Sequence, residues 1–288
     1  MITGAGKGIG RAMALALAQH GASVLANNRR HEDERQGSAA RVAAEITALG
    51  GTARANTASV EAPDAAAAMV ADALDAFGRL DIVIHNAAIA PQKRIAKMTP
   101  ESLHEAFEIN YFAPVALTQA ALPALRAAGQ GRLIYIISNG GLYGGDGLAA
   151  YASTKAALYA FMRCAAAEGR HYGITANALA PFALSQMTQA HLPQGLSSAL
   201  SPDWIGPVAA WLACAETTVS GKVYVTGAGM IREARVEETA SLHFSDCGPA
   251  ALNEVARLAD VLSHTTADTG FDSATEAFAH IMTDLKKN

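Results

Sequence analysis

Tyr151 and Lys155 lie four positions apart in an alanine-rich stretch, and Ser138 precedes them. On a helix, residues at i and i+4 share one face and lie about one turn, roughly 6 Å, apart. An ammonium beside a phenol, whose ordinary pKa is near about 10, favours the ionised phenol. The pair therefore predicts a tyrosine that exchanges a proton with a substrate alcohol. The alternative is a solvent-exposed pair that arose by chance, so the surrounding sequence must decide.

Ser138 directly follows a short apolar run at positions 133–137. Such a run, rich in isoleucine and flanked by glycine, is typical of a buried parallel strand. The segment 139–147 is too rich in glycine to favour a helix, so we predict a loop that brings Ser138 and Tyr151 together over a ligand. Ligands of open α/β sheets bind at the carboxyl ends of the strands, where we expect Ser138 to lie.

The first residues contain Gly4, Gly8 and Gly10 in the spacing G-x-x-x-G-x-G. Glycine at such positions lets the backbone approach a phosphate closely. Positions 9–20 are rich in alanine and leucine and are followed by Gly21, which predicts a helix with a glycine at its end. The amino end of that helix can bind a pyrophosphate. An ordinary glycine-rich turn is the alternative, which the downstream tyrosine and lysine disfavour.

These motifs, in this order from Ile2 to Met230, resemble the short-chain dehydrogenase/reductase family. Residues 3–10 are similar to the family's cofactor loop. Positions 85–88 are similar to its N-N-A-G segment, with histidine and alanine at the outer positions. The positions that match the family's catalytic tetrad are Asn110, Ser138, Tyr151 and Lys155.

The resemblance implies an NAD(P)-dependent oxidoreductase that moves a hydride between nicotinamide and a secondary alcohol or ketone. Tyr151 would transfer the proton, Ser138 would orient the reacting oxygen, and Lys155 would hold the nicotinamide ribose. Asn110 would position a water in a proton relay, unless it is a mid-helix asparagine facing solvent. A non-catalytic, NADP(H)-binding regulatory protein is the alternative function, although such relatives tend to lose the tyrosine or the lysine.

A narrower resemblance concerns the segments 184–189, 201–207 and 225–231. They are similar to the (3R)-hydroxyacyl-CoA dehydrogenase domain of peroxisomal multifunctional enzyme type 2. The resemblance implies a 3-hydroxyacyl-CoA-type or a hydroxysteroid-type substrate and does not choose between them.

Cofactor preference depends on the end of the second strand, where a carboxylate would bind the adenosine ribose of NAD. Asn28 and Arg29 occupy this place. Asn28 would not repel a 2′-phosphate, and Arg29 or Arg30 could pair with it, aided by Lys7. The sequence thus favours NADP(H) and leaves NAD(H) possible. In the alternative, both arginines face solvent or pair with the acidic residues 32–34.

The segment 180–201 lacks a clear period, and we predict a mobile substrate lid from which Ser185 or Thr188 binds the nicotinamide carboxamide. His85 could contact the cofactor edge, although a structural histidine is the preferred interpretation. The candidate cofactor-binding residues are Gly4, Lys7, Gly8, Ile9, Gly10, Asn28, Arg29, Ser59, Val60, Asn86, Ala87, Ala88, Tyr151, Lys155, Pro181, Ser185 and Thr188.

Composition limits the class of partner. The 288 residues carry a net charge of −4, which gives no electrostatic reason to expect a nucleic acid. No apolar run reaches membrane-spanning length, and the three cysteines form no metal-ligand cluster. We therefore expect a cytoplasmic protein with a small-molecule substrate and without a metal or a membrane partner.

Apolar runs alternate with alanine-rich helical segments, which predicts an α/β fold with a Rossmann-like, doubly wound parallel sheet in a single domain. We predict strands at 23–27, 52–57, 81–85, 132–137, 174–179 and 222–226. Predicted helices begin near positions 8, 38, 63, 100, 151 and 203.

Both ends of the chain have features of their own. Only Met1 and Ile2 precede the glycine loop, so we expect a truncated first strand. Residues 1–230 would form the dinucleotide-binding and catalytic domain. Residues 231–288 would form a C-terminal helical extension, with helices at 249–262 and 273–285, packed on the same domain or on a partner subunit. Wide apolar faces on the helices at 110–128 and 151–168 favour a homodimer or homotetramer.

Overall fold

The computed structural model describes residues 1–30, 37–183, 199–244, 251–267 and 269–285. The chain divides into two compact units, Met1–Glu233 and Ala234–Asn288. The first unit contains the main sheet and its helices. The α/β class with a mostly parallel central sheet is confirmed.

The strands of the first unit are close to their predicted positions. They are β1 Val24–Asn27, β2 Ala53–Asn56, β3 Ile82–His85, β4 Gly131–Ile136, β5 Ile174–Pro181, β6 Val223–Gly227 and β7 Met230–Ala234. The order across the sheet is β2-β1 followed by β3-β4-β5-β6-β7. The pairs β1–β2, β3–β4, β4–β5 and β5–β6 are parallel. The edge strand β7 is absent from the sequence prediction.

Ile2 connects the two parts of this sheet. Its amide donates to the carbonyl of Leu25 at 3.0 Å, and its own carbonyl accepts from the amide of Asn27 at 2.9 Å. On the other side, the amide of Thr3 donates to the carbonyl of Ile84 at 3.0 Å. The place of a first strand is thus taken by one fully buried residue that bridges β1 and β3.

The helices of the first unit alternate with the strands. They are α1 Gly8–Gln19, α2 Ser38–Ala48, α3 Ala65–Phe77, α4 Pro100–Phe107, α5 Ala113–Ala127, α6 Asn139–Tyr143, α7 Ala149–Gly169 and α8 Gly206–Ala213. Helix α1 buries Met13 and Leu17 and is followed by Gly21 with a φ of 84°, as its sequence predicts. Buried side chains of α1 and α8 pack with Ile2, Ile84 and Ile134 of the sheet in one core.

The prediction of a loop at 139–147 was wrong in its first part, because α6 is a short helix. The hydroxyl of Ser138 caps it by accepting from the amide of Gly140 at 3.1 Å. A Cβ added at Gly141 would lie 2.7 Å from Cβ of Lys155. Glycine is therefore needed here for close packing of α6 on α7.

The second unit contains α9 Ala251–Ser263 and α10 Ala274–Leu285, within the two predicted helical regions apart from one residue at the end of α9. The short strands β8 Glu237–Glu238 and β9 Thr269–Gly270 pair antiparallel. In the described part of the chain, no helix is both long and apolar enough to cross a lipid bilayer.

Candidate active site

A cleft of about 980 Å³ gathers the glycine loop, the carboxyl ends of β1, β3 and β4, and one face of α7. The predicted site residues that line it are Gly4, Lys7, Gly8, Ile9, Gly10, Asn28, Arg29, Asn86, Ala87, Ala88, Val60, Ser138, Tyr151, Lys155 and Pro181. Ser59 does not line the cleft, and neither does Arg30. Ser185, Thr188 and most of the predicted lid lie outside the described residues.

The glycine loop is fixed by the segment that follows β3. The side-chain amide of Asn86 donates to the carbonyls of Thr3 at 2.9 Å and Gly4 at 3.0 Å. In return, Oγ1 of Thr3 accepts from the backbone amides of Asn86 at 3.0 Å and Ala87 at 3.1 Å. Asn86 and Thr3 therefore hold the loop in one conformation at the rim of the cleft.

The shape of this loop fits a dinucleotide phosphate. Gly8 has a φ of 54°, and a Cβ added there would meet nothing within 4 Å. At Gly10 a Cβ would lie 2.2 Å from the carbonyl oxygen of Gly4, so the loop is closely packed on its inner side. Helix α1 begins at Gly8 with no acidic residue in its first turn. Its amino end can attract and bind an anion that enters the cleft.

Tyr151 and Ser138 meet at the carboxyl end of β4. The hydroxyl of Ser138 interacts with the tyrosine side chain and lowers the pKa of Tyr151. Burial has the larger effect and raises the pKa of Tyr151 above its ordinary value of 10.0. The sequence predicted a phenol whose ionised form is favoured by Lys155. The net shift of the Tyr151 pKa is instead upward, because the effect of desolvation exceeds that of Ser138.

Lys155 is buried beneath Tyr151 with 1% of its surface exposed. Its Nζ lies 5.8 Å from the centre of the Tyr151 ring and donates to the carbonyl of Ile136 at 2.7 Å. Burial lowers the pKa of Lys155 to about 7. The amine is therefore able to gain or lose a proton near neutral pH.

Asn110 lies in a π-helical turn, Glu108–Phe112, between α4 and α5. It is fully buried and does not face solvent. Its Oδ1 accepts from the amide of Ile89 at 2.9 Å, while Nδ2 donates to the carbonyl of Ile89 at 2.8 Å and to Oγ1 of Thr154 at 3.0 Å. The side chain thus joins the cleft segment at Ile89 to α7. π-Turns of this kind are frequent at functional sites.

At the other end of the cleft, Asn28 donates through Nδ2 to Oγ of Ser38 at 2.8 Å. Arg29 has its Nη1 3.8 Å from Oε1 of Glu61, which also lines the cleft. Ser59 donates to the same oxygen of Glu61 at 2.7 Å. Sequence reasoning missed Glu61, because the contact joins the ends of two different strands. Its place one residue after Val60 was the only available indication.

His85 lies within the core and does not line the cleft. It is 2% exposed, stacks on Tyr135 with 4.6 Å between ring centres, and its Nε2 lies 3.1 Å from Oγ1 of Thr118. Burial first, and then the charge of Lys155, lower the pKa of His85 to about 3. The histidine is therefore neutral and structural.

Other residues of the cleft carry no sequence motif. The apolar ones among them cannot be told from core residues in the sequence. They include Ile89, Ala90, Gln92, Ile109, Asp146 and Leu148. Arg94 pairs with Asp146 at 3.0 Å, and the amide of Lys93 donates to the carbonyl of Gly147 at 2.8 Å. These contacts hold the segments near 93 and 147 together. Among the described residues, no cluster of His, Cys, Asp and Glu could hold a metal ion.

Comparison with known proteins places this geometry in context. A family model described as short chain dehydrogenase matches residues 1–195. Peroxisomal multifunctional enzyme A of Dictyostelium discoideum is 35% identical over 88% of the chain, and peroxisomal multifunctional enzyme type 2 of Mus musculus is 35% identical over 83%. The matched regions span 58% and 33% of those two proteins, so they are considerably longer than this chain. The crystal structure of a short chain dehydrogenase from Mycobacterium avium superimposes with a TM-score of 0.81 at 33% identity, covering 94% of this chain and 95% of that one.

Proposed function

Because the chain belongs to the short-chain dehydrogenase/reductase family, whose members act on CH–OH groups, we propose that its cleft interconverts a secondary alcohol and a ketone. One observation carries the proposal: Ser138, Tyr151 and Lys155 line the same cleft as the glycine loop, with Nζ of Lys155 5.8 Å from the centre of the tyrosine ring. A proton-transfer group and an anion-binding loop thus open into the same space.

Each residue of the cleft has its own role in the proposed reaction. When bound, a nicotinamide cofactor supplies or accepts the hydride. Tyr151 gives its proton to the substrate oxygen in reduction and accepts it in oxidation. Ser138 donates a hydrogen bond to that oxygen and orients it. Lys155, held by Ile136, would bind the hydroxyls of the nicotinamide ribose in this proposal.

In this proposal, Asn110 is a positioning residue. Three hydrogen bonds occupy its side chain, and they fix Ile89 at the cleft and Thr154 next to Lys155. In the proposed proton relay, a water would be held near Asn110. The π-helical turn would set the position of that water. The buried position of the residue supports a part in shaping the site and disfavours a solvent-facing one.

For the cofactor, we infer a preference for NADP(H), with NAD(H) also accepted. Asn28 and Arg29 line the cleft where the adenosine ribose would lie, and Lys7 lines the same cleft from the glycine loop. Arginine pairs well with a phosphate group, and asparagine does not repel one. Ser185 and Thr188 would contribute from the lid in this proposal.

For the substrate, we infer a 3-hydroxyacyl-CoA-type or hydroxysteroid-type secondary alcohol. The apolar residues Ile89, Ile109 and Leu148 line the cleft and suit an aliphatic or steroid body. The relatives that are named peroxisomal multifunctional enzymes are longer proteins than this chain. A homodimer or homotetramer and a cytoplasmic location stay predictions from the sequence.

The test follows absorbance at the reduced-nicotinamide band with (3R)-hydroxyacyl-CoAs, hydroxysteroids and small ketones, each with NADP(H) and with NAD(H). Turnover of at least one substrate class supports the enzyme. Tight nucleotide binding without turnover of any of them would instead support the non-catalytic regulatory alternative. That alternative is disfavoured because Tyr151, Ser138 and Lys155 are all retained and line one cleft.

A further inference from the structure

Glu61 brings a carboxylate to the adenosine end of the cleft, opposite the arginine that follows β1. Its Oε1 accepts from Oγ of Ser59 at 2.7 Å and lies 3.8 Å from Nη1 of Arg29. Both Glu61 and Arg29 line the cleft. The hydrogen bond from Ser59 fixes the direction in which the carboxylate points.

The ion pair is accessible to solvent. The side chain of Arg29 is 49% exposed and that of Glu61 is 30% exposed. An exposed pair at this distance is weak and opens readily. A bound phosphate dianion can therefore compete with Glu61 for Arg29, and the carboxylate then becomes a like charge close to that phosphate.

We propose that Glu61 is a specificity-determining residue that limits the preference of this site for a 2′-phosphate. It holds Arg29 in an ion pair and repels the phosphate, while its carboxylate can accept a hydrogen bond from an unphosphorylated ribose hydroxyl. The inference rests on the proposed function, in which this end of the cleft binds the adenosine ribose. It explains how a site with arginine and asparagine, favourable to NADP(H), also accepts NAD(H).

Nucleotides with and without a 2′-phosphate should respond differently to the loss of the Glu61 charge. A 2′-phosphate must separate Arg29 from Glu61 before it pairs with the arginine. A nucleotide without that phosphate leaves the ion pair closed. Removing the charge of Glu61 should therefore strengthen binding of the phosphorylated nucleotide and leave the other unchanged or weaker.

The experiment measures dissociation constants by calorimetry for 2′,5′-ADP and 5′-AMP, which differ only in the 2′-phosphate and need no turnover. The variants are wild type, Glu61→Gln and Glu105→Gln. Glu105 is an exposed carboxylate on α4 that does not line the cleft, so the control has the same net charge as the test variant. We expect Glu61→Gln to shift the ratio of the two constants about three- to tenfold in favour of 2′,5′-ADP, because one ion pair and one repulsion are removed. Glu105→Gln should leave the ratio at its wild-type value.

A second pair of variants tests whether the effect passes through the arginine. In Arg29→Gln, the further change Glu61→Gln should shift the ratio by less than half as much as it does in wild type. An unchanged ratio in Glu61→Gln overturns the inference while the proposed function stands. If wild type binds neither nucleotide, the proposed function itself fails, and the two results are therefore distinguishable.

Discussion

The amine of Lys155 donates a 2.7 Å hydrogen bond to the carbonyl oxygen of Ile136. Ile136 is the last residue of β4, two positions before Ser138, and Lys155 lies one turn after Tyr151 on α7. The bond therefore joins the strand that carries the serine to the helix that carries the tyrosine. It also holds an ionisable amine in a buried place, and this has a measurable effect on stability.

Replacing Lys155 by Met should stabilise the fold while abolishing turnover. Burial lowers the pKa of Lys155 to about 7 from 10.5, so the unfolded chain binds the proton more tightly than the folded chain. The resulting destabilisation of the wild type is present in full below about pH 7 and declines as the pH rises towards 10.5. We expect Lys155→Met to raise the free energy of unfolding by about 2 kcal/mol at neutral pH.

Thermal melts of both proteins between about pH 6 and about pH 10 check this expectation. The difference in melting temperature between Lys155→Met and wild type should become smaller as the pH increases. A gap that is constant across this range, or a variant less stable than wild type at neutral pH, contradicts the account of the buried amine.

Ser138→Ala tests the interaction of Ser138 with the proposed catalytic phenol of Tyr151. Ser138 lowers the pKa of Tyr151 against the larger effect of burial, so loss of its hydroxyl should raise that pKa further. We expect the rise of kcat/KM for alcohol oxidation with pH to move to higher pH, and the rate at neutral pH to fall roughly 10²-fold. Ser138→Thr, which keeps a hydroxyl, should recover part of the activity. An unshifted pH profile in Ser138→Ala would show that the serine does not act on the tyrosine.

Asn110→Ala should destabilise the protein strongly. The variant leaves the partly buried amide and carbonyl of Ile89 without their partners and removes the bond to Thr154. We expect a loss of about 3 kcal/mol in urea unfolding, since three hydrogen bonds are lost at about 1 kcal/mol each. Thr154→Val breaks one of the three bonds, and also the bond from Oγ1 of Thr154 to the carbonyl of Tyr151, so it should cost about 1–2 kcal/mol. Equal losses in the two variants would mean that the contacts to Ile89 contribute little.

Gly8→Ala tests the phosphate loop. Gly8 has a φ of 54°, and its missing Cβ would extend into space at the cleft. We expect the affinity for nucleotide to fall roughly tenfold, because the methyl group obstructs close approach of a phosphate. Gly50→Ala is the matched control, since Gly50 has a φ of 85°, also has nothing within 4 Å of an added Cβ, and does not line the cleft. Both variants should lose similar stability, but only Gly8→Ala should lose affinity. Equal affinities would exclude the loop as a phosphate site.

The sequence predicted the elements of the fold well because local patterns determine them. The apolar run before Ser138 lies largely within β4, as predicted. Helix α1 begins at Gly8 and is followed by Gly21, also as predicted. The prediction failed where long-range packing decides the structure. Helix α6 forms in a glycine-rich segment because Ser138 caps it and Gly141 packs on Lys155.

The sequence predicted in part which residues come together at the candidate site. Residues with a motif, such as Tyr151 and Lys155, do line one cleft with Gly8. The direction of the Tyr151 pKa shift could not be predicted, because burial is a property of the folded chain. Glu61 was missed for a related reason, since its partner Arg29 is distant in sequence.

Tyr151→Phe is the most direct test of the central claim, that the hydroxyl of this residue transfers the proton in the reaction. The ring and its packing on Lys155 are retained, and only the acid–base group is lost. On a substrate that the wild type turns over, we expect kcat to fall by roughly 10²- to 10⁴-fold, with the dissociation constant for nucleotide unchanged. A variant that works as fast as wild type would contradict the account.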